Sequence, residues 1–226
     1  MVVGEKRTRT LLFVIDTTNS MINDIDAINY AFEKSISIVR VIQEKYPDLL
    51  FLINVLEFYE EAEWQMPFPG VIDHYEWHNL SVYGVSSDFA KICKELNERL
   101  SDDVFMRDSN DSAIILLVDS PLDGNYNEEL EKLTGEPRFR QAIKKTIVYG
   151  EYLRDTDLNA LEKFSGGKMN ATPRKLKELC KQILGAVTEA ALFGLNLDEG
   201  FIMQLLNKEK EECDRKYPIK VFRVER

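Results

Sequence analysis

The stretch that decides the fold is Leu11-Leu12-Phe13-Val14-Ile15-Asp16-Thr17-Thr18-Asn19-Ser20, in which five apolar residues run directly into a carboxylate, three hydroxyls and an amide. A short, continuous apolar run is typical of a strand that is buried on both faces of a sheet. Residues at the carboxyl end of such a strand face the crevice where open α/β sheets bind ligands. The polar residues from Asp16 to Ser20 are therefore the first candidate site.

Three more apolar runs of this kind alternate with stretches of helical periodicity. The further strands are predicted over Leu49 to Phe58, Ala113 to Val118 and Thr146 to Tyr149. Apolar residues at steps of three and four predict helices over 25–42, 89–100, 176–190 and 198–216, the third of them after a cap at Thr172-Pro173. This alternation indicates an α/β fold with a doubly wound, mostly parallel central sheet and helices on both faces.

The composition changes between Tyr59 and Tyr83, where aromatic residues, prolines and polar residues replace the apolar runs. We predict one antiparallel edge strand in a hairpin, followed by a long surface loop. Four aromatic side chains of this region either cover the sheet edge or form a partner-binding surface: Trp64, Phe68, Tyr75 and Trp77. The sequence leaves these two alternatives open.

Residues 1–194 contain all the predicted sheet strands and their helices, so we expect them to form one domain. With 226 residues the chain is long enough to bury a substantial core. Residues 195–226 form an extension with a helix and a strand-like tail at 219–224. This extension is expected to dock on the domain or to pair with a second copy of the chain, which would give a homo-oligomer.

Charge and composition exclude several classes of protein. The net charge is −10 and the pI is about 4.9, which disfavours binding to a nucleic-acid backbone. The sequence has no apolar run of bilayer length and no signal-peptide pattern, so we expect no membrane partner. Three widely spaced cysteines predict reduced thiols rather than disulfides or zinc. We expect a cytoplasmic protein.

Three motifs resemble those of one known family. The segment from Asp16 to Ser20 has the form DxTxS and resembles the DxSxS metal-ion-dependent adhesion site (MIDAS) of von Willebrand factor A domains. The loop Val85-Ser86-Ser87-Asp88-Phe89-Ala90 resembles the one in which that family supplies a threonine, here Ser87. The run from Ile114 to Asp119 resembles the fourth strand, which ends in an aspartate. The resemblance extends over residues 8 to 192, and its layout is similar to that of bacterial tellurite-resistance TerY proteins.

This resemblance implies a metal site and a function. The implied metal-binding residues are Asp16, Thr18, Ser20, Ser87 and Asp119, with Mg²⁺, Mn²⁺ or Ca²⁺ as the ion. Hydroxyl and carboxylate oxygens are ligands that such hard cations prefer. An acidic side chain of a partner protein would complete the coordination, as in the family. The implied function is a non-enzymatic adaptor, of a kind that often accompanies bacterial stress-response systems.

Departures from the family pattern keep other readings open. Asn19 and Ser120 replace the small residue and the glycine that the family usually has, which affects the turn geometry. Thr18, Asn19 and Ser20 also suit a helix start, because their side chains accept hydrogen bonds from exposed backbone N–H groups. His74 and His78 are four residues apart, but two ligands in a loop are too few for a structural zinc site.

Two other functions compete with metal-dependent adhesion. A haloacid dehalogenase-like phosphatase would use Asp16 as its nucleophile and Asp119 with Asp123 as its later metal pair. Such enzymes need a second acid two residues after the nucleophile, and Thr18 is a poor proton donor at that position. A metal-free structural subunit that assembles through its C-terminal helix is the other alternative.

Overall fold

The strands of the protein form one central sheet and one small accessory pair. A computed structural model describes residues 7–106, 111–150, 153–167, 169–195 and 199–218. Its strands are β1 (Arg7–Asp16), β2 (Leu49–Phe58), β3 (Ala62–Trp64), β4 (Gly70–Val71), β5 (Ser87–Asp88), β6 (Asp111–Val118), β7 (Leu122–Asp123), β8 (Ile143–Tyr149) and β9 (Met169–Thr172). The central order is β3-β2-β1-β6-β8-β9. Neighbours from β2 to β9 are parallel, whereas β3 and the short β4 pair with β2 in antiparallel orientation.

Helices cover both faces of this sheet. They are α1 (Ile25–Lys45), α2 (Phe89–Ser101), α3 (Asn127–Gly135), α4 (Pro137–Gln141), α5 (Asp155–Ser165), α6 (Leu176–Leu192) and α7 (Glu199–Lys216). Phe13 and Ile15 of β1 pack with α1, α6 and α7, while Leu12 and Val14 pack with α2 to α5. The predicted α/β class, the mostly parallel sheet and the antiparallel edge strand are confirmed. No helix within the described ranges is long and apolar enough to cross a bilayer.

The predicted helix cap at Thr172 is wrong. Thr172 is the last residue of β9 and lies beside Tyr149 in the parallel ladder. Its carbonyl accepts a hydrogen bond from the backbone N–H of Gly150 at 3.0 Å. Because the ladder holds this backbone extended, α6 begins only at Leu176, with Lys175 as its N-cap.

The aromatic loop mainly covers the core rather than presenting a surface. Trp77 stacks on Phe32 of α1, with ring centroids 5.4 Å apart. Tyr75 is buried, and Trp64 packs edge-on against Phe105. Phe68 differs from these three, because its side chain is 49% exposed. These three side chains therefore pack inward rather than forming a surface, although Trp77 covers α1 and not the sheet edge.

Helix α7 packs against the domain. Ile202, Leu206 and Cys213 are buried in the same apolar cluster as the inner faces of α1 and α6. An ion pair between Lys34 and Glu209, 3.5 Å long, joins α1 to α7 at its margin. The predicted strand-like tail at 219–224 lies outside the described residues. The domain boundary at residue 194 stays a prediction.

Truncation after Gly194 tests this boundary. We expect the shortened chain to remain soluble and to unfold in one cooperative transition, because every strand of the central sheet precedes residue 194. The transition should occur at a lower urea concentration than in the full chain, since the α7 side chains no longer bury apolar surface on α1 and α6. Loss of cooperative unfolding would show that α7 is an integral part of the domain.

Candidate functional site

The five predicted site residues lie together at the carboxyl edge of the central sheet. Asp16 is the last residue of β1, and Asp119 directly follows β6, the parallel neighbour of β1. Ser87 opens β5, immediately before α2, and Thr18 and Ser20 lie in the turn after β1. Parallel strands end at the same edge of a sheet, which explains why segments so distant in sequence meet here.

A chain of oxygen contacts connects these residues. Thr18 Oγ1 donates to Asp16 Oδ1 at 2.7 Å, and Ser20 Oγ donates to Asp119 Oδ1 at 2.7 Å. The two hydroxyl oxygens of Thr18 and Ser20 are 2.8 Å apart. Ser87 Oγ donates to Asp16 Oδ2 at 2.9 Å. Asp16, Thr18, Ser87 and Asp119 are buried, and Ser20 is partly exposed.

The turn after β1 does not act as a helix cap. Helix α1 begins at Ile25, after Asp24, and no capping hydrogen bond is made by the Asp24 side chain. A short 3₁₀ turn at Asn19–Met21 follows Thr18, whose hydroxyl is bonded to Asp16 rather than to a backbone N–H. The capping alternative therefore does not explain why hydroxyls occur at positions 18 and 20.

Ser120 belongs to the cluster, although the sequence presented it only as a departure from glycine. Its hydroxyl donates to Asp16 Oδ2 at 2.8 Å and makes a short contact with Ser87 Oγ. With the backbone N–H of Thr18 at 3.0 Å from Oδ1, Asp16 accepts hydrogen bonds on both oxygens. In the sequence, the position of Ser120 directly after Asp119 was the one indication that its hydroxyl could contact Asp16.

The cluster has fewer protons than oxygen contacts when both carboxyls are ionised. Each hydroxyl carries one proton, and Thr18, Ser20, Ser87 and Ser120 each contact both a carboxylate and another hydroxyl. In that state the hydroxyl protons cannot serve the carboxylate contacts and the Thr18–Ser20 and Ser87–Ser120 contacts together. Added positive charge, either as protons on the carboxyls or as a bound cation, would satisfy both contacts.

The carboxyl pKa values show the same shortage of positive charge. Burial raises the pKa of Asp16, and its hydrogen bonds from hydroxyls only partly oppose this effect. Burial, followed by the neighbouring charge of Asp16, raises the pKa of Asp119 to about 7. Ionising both groups together is costly in this environment unless a cation is present.

Arg174 adds a positive group that sequence reasoning missed. Its Nη2 contacts Asp119 Oδ2 at 3.3 Å and Asp24 Oδ2 at 3.0 Å, and it also donates to the Ser20 carbonyl. Tyr149 donates to the other Asp24 oxygen at 3.2 Å. Arg174 follows β9, a strand that was not predicted, so no pattern placed it at this edge.

The segment at Tyr83 and Gly84 is hydrogen-bonded to the turn after β1. The backbone N–H of Tyr83 donates to the Thr17 carbonyl at 2.7 Å, and Asn19 N–H donates to the Gly84 carbonyl at 3.1 Å. Gly84 has a φ of +62°, and an added Cβ would lie 1.8 Å from a carboxylate oxygen of Glu60. The positive φ favours glycine at this position, whereas the Glu60 carboxylate is the end of a flexible side chain that can move.

Comparisons with known proteins identify the fold but no close relative. No protein-family model matches the sequence, and no curated protein matches it. A solved von Willebrand factor type A structure from Catenulispora acidiphila is similar, with a TM-score of 0.63 and 14% identity over 82% of this chain and 43% of that one. The protein has a von Willebrand factor A fold. Because the identity is so low, this similarity establishes the fold alone.

Two further A-domain structures show how widely this fold is shared. Proximal thread matrix protein 1 of the mussel byssus, solved with a zinc-occupied MIDAS motif, has a TM-score of 0.56 and 19% identity over 84% of this chain and 47% of that one. The SpRpn10 VWA domain has a TM-score of 0.51 and 14% identity over 77% of this chain and 93% of that one. This chain spans less than half of the length of the first two structures.

The donor set in this A-domain fold differs from a site rich in histidine or cysteine. Within the described parts of the chain, no group of three or more His, Cys, Asp or Glu side chains is placed to hold a metal, either at the sheet edge or elsewhere. The cluster at the sheet edge instead combines two carboxylates with hydroxyls. That composition suits a hard divalent cation better than a soft one.

The raised pKa of Asp119 gives a pH-dependent prediction. Without metal, folding favours the protonated form of Asp119. The resulting contribution to the free energy of unfolding is complete below about pH 3.9 and is lost as the pH rises through about 7. A cation requires the ionised form, so stabilisation by Mg²⁺ should increase from about pH 6 to about pH 8. Thermal unfolding with and without MgCl₂ at both pH values measures this difference. An equal shift at both values would contradict it.

Proposed function

We propose that this protein is a metal-dependent protein-binding module whose MIDAS-like site recognises an acidic residue of a partner. The metal-binding residues would be Asp16, Thr18, Ser20, Ser87 and Asp119, with Mg²⁺ as the preferred ion and Mn²⁺ or Ca²⁺ as substitutes. The observation that carries the proposal is the convergence of two buried carboxylates with the hydroxyls of Thr18, Ser20 and Ser87 at the carboxyl edge of the sheet.

The donor set fits a cation of charge two. Two carboxylates can neutralise such an ion, and neutral hydroxyls add oxygen ligands without adding negative charge. The hydroxyl of Ser120 holds Asp16 from outside this set, as partners of metal ligands commonly do. When bound, the cation would attract a carboxylate from a partner, which a protein of net charge −10 would otherwise repel.

The phosphatase alternative has less support. Asp16 is fully buried, and both of its oxygens accept hydrogen bonds, so neither is available as an exposed nucleophile. The Thr18 hydroxyl donates its proton to Asp16, so it is not placed to protonate a leaving group. Formation of a beryllium fluoride adduct on Asp16 would overturn this preference.

The broader role is that of an adaptor or scaffold. We include in the proposal a cytoplasmic location and a stress-response context of the TerY type. The second of these rests on the layout of the sequence motifs alone. Pairing of two copies through residues 195–226 is also part of it. The packing of α7 on α1 and α6 supports docking within one chain first.

Thermal unfolding of the full chain with added metal tests the proposal. An ion that binds only the folded state must raise the melting temperature, by an amount that corresponds to about 2.7 kcal/mol at one hundred times its dissociation constant. We expect this increase with MgCl₂ or MnCl₂, and we expect EDTA to reverse it. No shift with Mg²⁺, Mn²⁺ or Ca²⁺ at pH 8 would favour the metal-free structural subunit instead.

A further inference from the structure

We infer that the face around the candidate metal site selects an acidic side chain with apolar neighbours, through Arg174 and an exposed apolar rim. The apolar rim consists of Ile22, Tyr83 and Val85. This inference rests on the proposed function, because the metal would bind the same carboxylate. It goes further by specifying the partner segment and the residues that recognise it.

Arg174 has capacity for a third carboxylate. Its contacts with Asp24, Asp119 and the Ser20 carbonyl are made by Nε and Nη2. Within the described residues, no hydrogen bond or ion pair engages Nη1, and the side chain is 34% exposed. With Nε and Nη2 engaged, Nη1 is the remaining nitrogen, and it can donate a charge-assisted hydrogen bond to an acidic group beside the site.

The apolar rim is exposed although its backbone is fixed beside the site. Ile22 is 62% exposed, Tyr83 48% and Val85 79%. Ile22 lies in the turn between Ser20 and Asp24, both of which contact Arg174. Tyr83 N–H is bonded to Thr17, and Val85 N–H donates to Glu60 Oε1 at 2.8 Å.

Apolar side chains in this arrangement are suited to a protein partner. Exposed apolar groups next to a polar centre are typical of interaction surfaces, and tyrosine is enriched there. They offer nothing to a phosphate backbone, and the net charge of −10 opposes an anionic membrane. The occupant that fits is therefore a protein segment in which Asp or Glu has large apolar residues within two positions.

Selection from a displayed library of random seven-residue peptides tests the inference. The bait is the full chain loaded with Mg²⁺, and the same chain in EDTA is the reference. We expect the retained peptides to be enriched in Asp or Glu next to large apolar residues only when Mg²⁺ is present. Retention of individual peptides is then measured for each variant.

Two variants separate the two halves of the face. Arg174→Gln should lower the retention of acidic peptides roughly tenfold, the effect of one lost charge-assisted hydrogen bond. The double variant Ile22→Ser, Val85→Ser should retain acidic peptides but lose the preference for apolar neighbours. Val104→Ser is the matched control, because Val104 is 61% exposed and follows the far end of α2.

The outcomes distinguish this inference from the proposed function. If Mg²⁺ and EDTA give the same peptides, the proposed function fails and the inference fails with it. If selection requires Mg²⁺ but Arg174→Gln and the double variant behave like Val104→Ser, only the inference is overturned. Enrichment of basic or wholly apolar peptides in Mg²⁺ would also overturn it.

Discussion

Replacing Asp16 by asparagine is expected to abolish Mg²⁺ binding while the protein remains folded. Asp16 accepts hydrogen bonds on both oxygens from Thr18, Ser87 and Ser120, so it occupies the centre of the cluster. Asparagine has nearly the same shape but removes the charge that a cation requires. We expect the affinity for Mg²⁺, measured by titration calorimetry, to fall at least about a hundredfold.

The stability of the same variant gives an independent check. Because burial raises the pKa of Asp16, its ionised form is costly in the metal-free protein. A neutral side chain avoids that cost, so the metal-free variant should melt at a temperature no lower than that of the wild type at pH 8. The variant therefore loses the shift caused by Mg²⁺ without losing its fold.

Asp123→Asn provides the matched control for this experiment. Asp123 ends β7, is exposed, and is the residue that the phosphatase alternative would use with Asp119. We expect its Mg²⁺ affinity to equal that of the wild type, whereas Asp119→Asn should match Asp16→Asn. Unchanged affinity in both Asp16→Asn and Asp119→Asn would reject the site.

The sequence could predict the convergence of Asp16 and Asp119 because simple rules govern parallel sheets. Ser87 lies in β5, outside the central sheet, and only the family resemblance placed it at the site. An apolar run that ends in a polar residue marks the carboxyl end of a strand, and such ends share one edge. The register agrees with this, since Ile15 of β1 lies beside Leu117 of β6. Asp16 follows Ile15 directly, and Asp119 comes two residues after Leu117.

The contribution of Arg174 could not be predicted in the same way. Arg174 depends on β9, and Asn170 and Ala171 in that strand are exposed, so no apolar run marks it as part of the sheet. Helix α3 was missed for a similar reason, because only Leu130 and Leu133 of its residues are buried. Elements that bury only a few side chains show neither a continuous apolar run nor a clear helical periodicity in the sequence.

At the opposite edge of the sheet, the buried guanidinium of Arg9 stabilises the fold. Arg9 of β1 is 4% exposed and binds both oxygens of Asp111, at 2.6 and 2.8 Å. It also donates to the carbonyls of Ala190, Ala191 and Phe193 at the carboxyl end of α6, at 2.9, 2.8 and 2.8 Å. One guanidinium thus connects β1, β6 and α6.

Replacing Arg9 by methionine is expected to destabilise the protein by about 3 kcal/mol, the lower end for a buried ion pair, because Asp111 is only part-buried. The change also leaves helix carbonyls without donors. Urea unfolding should show a lower midpoint with the same slope. Mg²⁺ affinity should not change, since Arg9 lies at the far end of β1 from Asp16.

Arg7→Met is the control that separates burial from charge. Arg7 contacts the same carboxylate at 3.2 Å and the Gly194 carbonyl at 3.2 Å, but its side chain is 46% exposed. Removing it should cost about 0 to 1 kcal/mol, as for other exposed ion pairs. Arg9→Lys should fall between the two, because a single ammonium group cannot reach Asp111 and three carbonyls together. Equal losses for Arg7→Met and Arg9→Met would show that burial of Arg9 does not determine its effect.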